Sequence, residues 1–187
     1  MVRLETERLV IRELGEEDIP ALHAIFSDPE VWRHMDFIKS DSLEHTTEQI
    51  RGMIMHNSAR PRHAYNFAVL GRRENRIVGW IGFGDPDPPK RHIGQADFGY
   101  AFGKEHWSKG YGTECLTAVV RFAFEEVGVE TFFGECDKEN PASSRVMEKC
   151  GFTRIAALTE DSFCYLITRA DWARGMMRRS QGKEELK

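Results

Sequence analysis

The run Trp107-Ser108-Lys109-Gly110-Tyr111-Gly112-Thr113-Glu114 is the part of this sequence best suited to chemistry. Two glycines ahead of an apolar helical stripe let the main chain approach a ligand closely. The N–H groups of the helix's first turn then point outward with the positive end of the helix dipole. That combination makes an anion site, most naturally for phosphate, although a glycine-rich turn that only joins strand to helix has the same spacing. Cys115 stands where a dinucleotide fingerprint needs its third glycine, and the preceding strand ends about seven residues too early, so a nicotinamide or flavin reading is poor. No G-x-x-x-x-G-K-[ST] occurs, which sets aside a nucleoside-triphosphate loop.

Other elements must hold this run in place. Ala96, Phe98, Tyr100 and Phe102 alternate with Asp97, Gly99 and Ala101, a strand with one strongly apolar face. From about Gly110 to Val127, residues Leu116, Val119, Val120, Ala123 and Val127 share one helical stripe. Thr131 to Cys136 reads as another strand, so residues 93–136 form a strand-helix-strand crossover that brings two parallel strands side by side. A short helix from Pro141 to Lys149 ends before Gly151, and strands follow near Phe152 to Ala157 and Phe163 to Thr168. Upstream, Arg8 to Arg12 reads as a first strand. Glu16-Glu17-Asp18 with Pro20 opens a helix whose stripe is Ile19, Leu22, Ile25 and Phe26. A second helix starts at Asp41 with Glu44 completing a capping box. Tyr65 to Leu70 and Ile77 to Phe83 form a hairpin around Gly71 to Asn75, and Asp85-Pro86-Asp87-Pro88-Pro89 breaks all regular structure.

The 187 residues fit one domain. Lys and Arg number 26 against 30 Asp and Glu, a net charge of −4, which argues against a general binder of nucleic acid or anionic membrane. No apolar run approaches the roughly 18 residues of a membrane span, and Met1 to Arg8 is too charged for a signal peptide. Cys115, Cys136, Cys150 and Cys164 form no C-x-x-C pair, so zinc-ribbon and redox readings fail and no metal is expected. The chain reads as cytoplasmic with reduced thiols. His23, His34, His45 and His56 recur every eleven residues, but Asp28-Pro29 and Ser40-Asp41-Ser42 interrupt the segment, and the period reads as coincidence.

The stretch from Ala96 to Phe152 resembles the acetyl-CoA-binding core of the GNAT N-acetyltransferase superfamily. His106 to Glu114 and Asn140-Pro141-Ala142-Ser143-Ser144-Arg145-Val146-Met147-Glu148-Lys149-Cys150-Gly151-Phe152 are similar to its RimJ/RimL branch. So are Leu4 to Arg12 and Asp28-Pro29-Glu30-Val31, and the likeness reaches about Trp172. The expected fold is α/β: a mixed, mostly antiparallel sheet flanked by helices and splayed between the two parallel strands. One acetyltransferase domain would span residues 1–175, followed by a frayed polar tail at 176–187.

By the same resemblance, the amides of Lys109, Gly110, Tyr111, Gly112 and Thr113 hold the pyrophosphate of acetyl-CoA, which serves as co-substrate. The backbone from Tyr100 to Phe102 pairs with the pantetheine arm as an added strand would. Trp107 stands where the superfamily has Gln or Arg, and suits a packing role equally. Asn140 contacts the arm or the reacting region, and also suits the start of a helix. Ser143 matches the serine that helps protonate the departing thiolate, and also suits a first-turn helix position; Met147 occupies the place of the tyrosine that many members use. A thiol with a pKa near 8.5 needs little more than a hydrogen bond to leave.

The implied reaction moves acetyl to a primary amine, on a small molecule or a protein N-terminus, by direct attack in a ternary complex. Asp97, on the strand face opposite Phe98, is the first candidate base and Glu160 the second, a solvated or structural carboxylate being the plain alternative for each. Asp36, Asp41, Glu44, Asp85 and Asp87 would suit a cationic acceptor, with Trp32, Phe37 or Trp80 as apolar walls. The missing tyrosine leaves open a non-catalytic acyl-CoA-binding or regulatory module. A homodimer is compatible with all of this.

Overall fold

Leu9, Val10 and Ile11 are all buried although neighbouring strand residues point to opposite faces, so the sheet they belong to must be covered on both sides. The structure, a computed structural model, describes residues 1–85, 95–156 and 159–184, with side chains except those of residues 36, 156 and 177–184. Among these residues eight strands form one sheet. They are β1 (Arg3–Glu5), β2 (Leu9–Glu13), β3 (Ala64–Gly71), β4 (Arg76–Gly84), β5 (Gln95–Phe102), β6 (Thr131–Asp137), β7 (Thr153–Ala156) and β8 (Ser162–Thr168), in the order β1-β2-β3-β4-β5-β6-β8-β7. Every neighbouring pair is antiparallel except β5 and β6, which run parallel. The mixed, mostly antiparallel α/β architecture expected from the sequence is the one observed.

The helices are α1 (Ile19–Phe26), α2 (Pro29–Trp32), α3 (Leu43–Ser58), α4 (Tyr111–Phe122), α5 (Pro141–Lys149) and α6 (Arg169–Glu184). Leu9, Ile11, Phe67 and Phe83 share one core with Leu116 and Val119 of α4. Val10, Ala68 and Trp80 turn the other way into a second core with Leu22 and Phe26 of α1 and Ile50 of α3. The stripe predicted for α1 is buried in full.

Three boundaries differ from expectation. Ser42, not Asp41, caps α3: its hydroxyl accepts the N–H of His45 at 3.1 Å, and with the cap moved one residue on, His45 rather than Glu44 occupies the box position. The long helix from Gly110 divides at Phe122, and Ala123–Val127 form a wider turn in which the N–H of Gly128 reaches the carbonyl of Ala123 at 3.0 Å. The backbone is helical to Glu184, because α6 is anchored near its start where Trp172 packs 5.7 Å from Phe124. Ala157, expected to end a strand, lies outside the described residues.

Phe132 is fully buried, with its ring 5.4 Å from Phe83, 5.7 Å from Phe98 and 5.7 Å from Phe124. It therefore ties the parallel pair to the helical layer. Phe132→Ala is expected to lower stability by about 3–5 kcal/mol, read as a fall in the urea midpoint at unchanged slope.

Candidate active site

The pairing of β5 with β6 stops early. Gln95, Ala96 and Asp97 face Thr131, Phe132 and Phe133, after which β5 stays with β4 as far as Phe102 and β6 stays with β8 as far as Asp137. Strands that keep only their outer partners diverge, leaving a fork in the middle of the sheet. Gly134 stands just past its apex. A Cβ there would lie 2.7 Å from the Phe98 ring and 2.7 Å from the Met147 sulfur, so those side chains occupy the space a larger residue would need. A cleft of about 1710 Å³ runs through the fork.

At one end of the cleft lies the mouth of α4. Gly110 precedes the helix with φ +80, a left-handed conformation that other residues adopt only with strain, and Ser108 is also left-handed at φ 58. The first intrahelical bond runs from the N–H of Glu114 to the carbonyl of Gly110, so the amides of Tyr111, Gly112 and Thr113 have no partner within the helix, and among the described residues no side chain caps them. Gly110, Tyr111, Gly112 and Thr113 line the cleft, as do the cationic Arg145 and Lys149 of α5. Unsatisfied amides beside two cations fit a diphosphate.

The mouth is braced from far away in the sequence. The Arg8 guanidinium donates to the Lys109 carbonyl at 2.8 Å and to the Glu114 carboxylate at 2.7 Å, while the Arg8 N–H and the Thr6 hydroxyl donate to the same carboxylate at 2.9 and 2.5 Å. Burial pushes the Glu114 carboxyl up, but those donors prevail and hold it below the ordinary range.

The fork's two faces differ. On one, the Tyr100 hydroxyl is 2.9 Å from Ser143 Oγ. Burial raises the Tyr100 pKa well above its usual value, against the lowering effect of that hydrogen bond, so the phenol stays protonated. On the other face lie Met35 and Phe37, the nearest atoms to a Cβ placed on Gly99. Alternation puts Asp97 of β5, and Glu135 and Asp137 of β6, on that second face, and all three line the cleft. Asp137 accepts the N–H of Glu139 at 2.7 Å and meets His34 Nδ1 at 2.8 Å; these two contacts hold its carboxyl below the usual range.

The family model described as Acetyltransferase (GNAT) domain matches residues 8–153. The chain belongs to the GNAT acetyltransferase family. It is similar to the uncharacterized N-acetyltransferase YoaA of Bacillus subtilis (strain 168), 27% identical over 84% of this chain and 86% of YoaA. A GNAT-family acetyltransferase from Bacillus anthracis superposes with a TM-score of 0.77 at 26% identity, covering 90% of this chain and 99% of that one. RimL, a ribosomal L7/L12 alpha-N-protein acetyltransferase solved with coenzyme A, shares the fold at 19% identity with a TM-score of 0.77, over 89% and 98% of the two chains. The protein is a GNAT N-acetyltransferase, of a family that uses acetyl-CoA.

Most residues singled out in the sequence meet at the GNAT fork. Ser143, Asp97, Tyr100, Phe102, Asn140 and the run from Gly110 to Thr113 all line the cleft. Lys109 is outside the lining, with its carbonyl bound by Arg8. Glu160 is exposed and also outside the lining, and its carbonyl accepts from Lys138; Asp161 and Ser162 line the cleft instead. Asn140 caps α5, its side-chain oxygen accepting the Ser143 N–H at 3.1 Å. The Trp107 indole donates to the Phe102 carbonyl at 2.8 Å, so it secures the end of β5.

Of the acceptor residues suggested by composition, Phe37, Trp80 and Asp85 line the cleft, whereas Trp32, Asp41 and Glu44 do not. Asp87 and the Asp36 side chain lie outside the described residues. Sequence reasoning passed over Arg145, Lys149 and the His34–Asp137 pair. A cation pair four residues apart ahead of Gly151 was the available signal for the first two; no local pattern signals the third.

Because the Glu114 carboxyl is held down in the folded state, it contributes stability that is present above the ordinary carboxylate range and lost as pH falls through the depressed value. The stability difference between the wild type and Glu114→Gln is expected to be constant above about pH 5 and to shrink below about pH 4, followed by thermal unfolding across that range.

Proposed function

We propose that this enzyme transfers acetyl from acetyl-CoA to a primary amine by direct attack within a ternary complex, in the manner of the RimJ/RimL branch. One observation carries the reading: β5 and β6 part around a cleft that has uncapped helix amides at one end and a hydroxyl pair, Tyr100 and Ser143, on its wall. The catalytic unit is taken as residues 1–175, working in the cytoplasm as a monomer or homodimer. The acceptor is a small-molecule amine or a protein N-terminus, and the carboxylates of Asp97, Glu135 and Asp137 favour a cationic one.

The amides of Gly110 to Thr113, with the neighbouring Lys109, bind and neutralise the diphosphate of acetyl-CoA, which supplies an activated acetyl thioester. Backbone groups of β5 from Tyr100 to Phe102 on the fork side extend the sheet's hydrogen bonding to its arm, with Asn140 beside them. Ser143 donates a hydrogen bond at the leaving sulfur, and Tyr100, kept protonated by burial, donates in turn to Ser143 Oγ. This pair stands in for the tyrosine that Met147 replaces. Asp97, at the apex, offers negative charge to the incoming ammonium, and Glu160 is a second carboxylate from the loop before β8. A carboxylate near an amine of pKa about 8 has a far smaller task than one facing a lysine near 10.4.

A Cβ on Gly112 would sit 3.4 Å from Val146 and 3.8 Å from Phe102, contacts a methyl tolerates and a branched side chain does not. Gly112→Ala is therefore expected to bind CoA nearly as well as the wild type, and Gly112→Val to bind it at least 10-fold more weakly by calorimetry, since about 1.4 kcal/mol of lost contact suffices. Equal affinity in all three proteins would remove the loop assignment.

Ser143→Ala should lower kcat with little change in the KM for acetyl-CoA, and wild-type turnover would return Ser143 to a helix-start role. The reading as a whole is tested by acetylating a panel of amines and N-terminal peptides with mass-spectrometric detection. CoA binding without turnover on any of them would count against it.

A further inference from the structure

His34 lies just after α2 and lines the cleft on its acceptor face. Its Nδ1 is 2.8 Å from Asp137 Oδ2, and the imidazole is 19% exposed. The carboxylate is itself held from behind, with Oδ1 taking the Glu139 N–H at 2.7 Å. A carboxylate at Nδ1 favours the tautomer protonated there and leaves Nε2 with its lone pair. Nε2 has no hydrogen-bond partner among the described residues.

Other charged groups lining the cleft include Glu30 and Arg33 on and after α2, Glu48 on α3, Asp97 on β5, Glu135 on β6 and Asp161 before β8. Glu30 is engaged by Lys104, and among the described residues only Asp137 lies within ion-pair distance of the imidazole. A nitrogen base with one side committed to an anchored carboxylate, on the acceptor face of the fork and opposite the Ser143 hydroxyl, is the arrangement deprotonation of an incoming amine requires.

We propose that His34, oriented by Asp137, is the general base that takes a proton from the acceptor ammonium. The inference rests on the acetyl-transfer reading above. An ammonium must lose two protons in all. One passes to His34 Nε2 and on to solvent, which frees the lone pair that forms the C–N bond to the acetyl carbon. The C–S bond breaks with its electron pair going to sulfur, and the second proton ends there on the Ser143 side. Asp137 stays ionised throughout and balances the imidazolium. Asp97 then attracts the ammonium rather than deprotonating it.

The test compares the wild type, His34→Gln and Asp137→Asn, using a peptide with a free N-terminal serine and spermidine as acceptor probes. Thiol release is followed from pH 5 to 9, and CoA affinity by calorimetry. In parallel, NMR of the CoA-bound, imidazole-15N-labelled protein reports the His34 tautomer. The wild type should show an acid limb in kcat/KM, since only the neutral imidazole can accept the proton.

His34→Gln should lose that limb and fall about 100-fold at pH 7 with CoA affinity unchanged. Asp137→Asn should move the limb to lower pH, because the imidazolium has lost its counter-charge. Neutral His34 should carry its proton on Nδ1.

Wild-type rates in His34→Gln, or an equal fall at every pH with the limb intact, would overturn the proposal. Should His34→Gln fail to bind CoA, an unmoved limb in Asp137→Asn or an Nε2–H tautomer overturns it instead. If the wild type acetylates neither probe, the amine-transfer reading fails for these acceptors. The tautomer then decides on His34 alone, with Nδ1–H keeping the assignment and Nε2–H ending it.

Discussion

The molecule is organised around two parallel strands that agree for three residues and then part. A sheet normally satisfies its main-chain polar groups strand by strand, and a gap at its centre leaves them without partners. β5 and β6 tolerate the gap because each keeps an outer neighbour along its length, β4 for one and β8 for the other. Phe98 and Met147 pack against one face of the gap, in space that a side chain on Gly134 would need. Everything else in the site is arranged with respect to this fork: the helix mouth at its end, the hydroxyls on one wall and the carboxylates on the other.

That separation of charge follows from strand alternation. Odd-numbered residues of both β5 and β6 face the side of Met35 and Phe37, so Asp97, Glu135 and Asp137 gather there without any one of them needing to be buried. Even-numbered residues face α5, which brings Tyr100 to Ser143 and leaves the cations Arg145 and Lys149 near the helix mouth. On the proposed reading, phosphate binding and amine binding occupy regions of opposite charge, one on each face of the sheet.

The helix mouth also depends on a segment more than a hundred positions earlier. Arg8 joins the carbonyl before Gly110 to the carboxylate in the first turn of α4, so the left-handed loop is clamped rather than merely permitted. Glu114 would be an odd neighbour for a phosphate if its charge were unmatched. With Arg8 and Thr6 on it, the carboxylate acts as part of the brace.

Much of this was legible in one dimension. Apolar alternation marked β5, the stripe of Leu116, Val119 and Val120 marked α4, and the two glycines ahead of it marked the uncapped helix mouth proposed as the anion site, because these signals depend only on a residue and its near neighbours. Cap position and helix ends were less legible, since Ser42 and Asp41 are both good caps and only the path of the chain decides between them. The partners of Tyr100, Trp107, Arg8 and His34 were not legible at all. His34 and Asp137 are 103 positions apart, and their meeting is set by how α2 folds back over the fork, a property of packing between distant elements that no local pattern records.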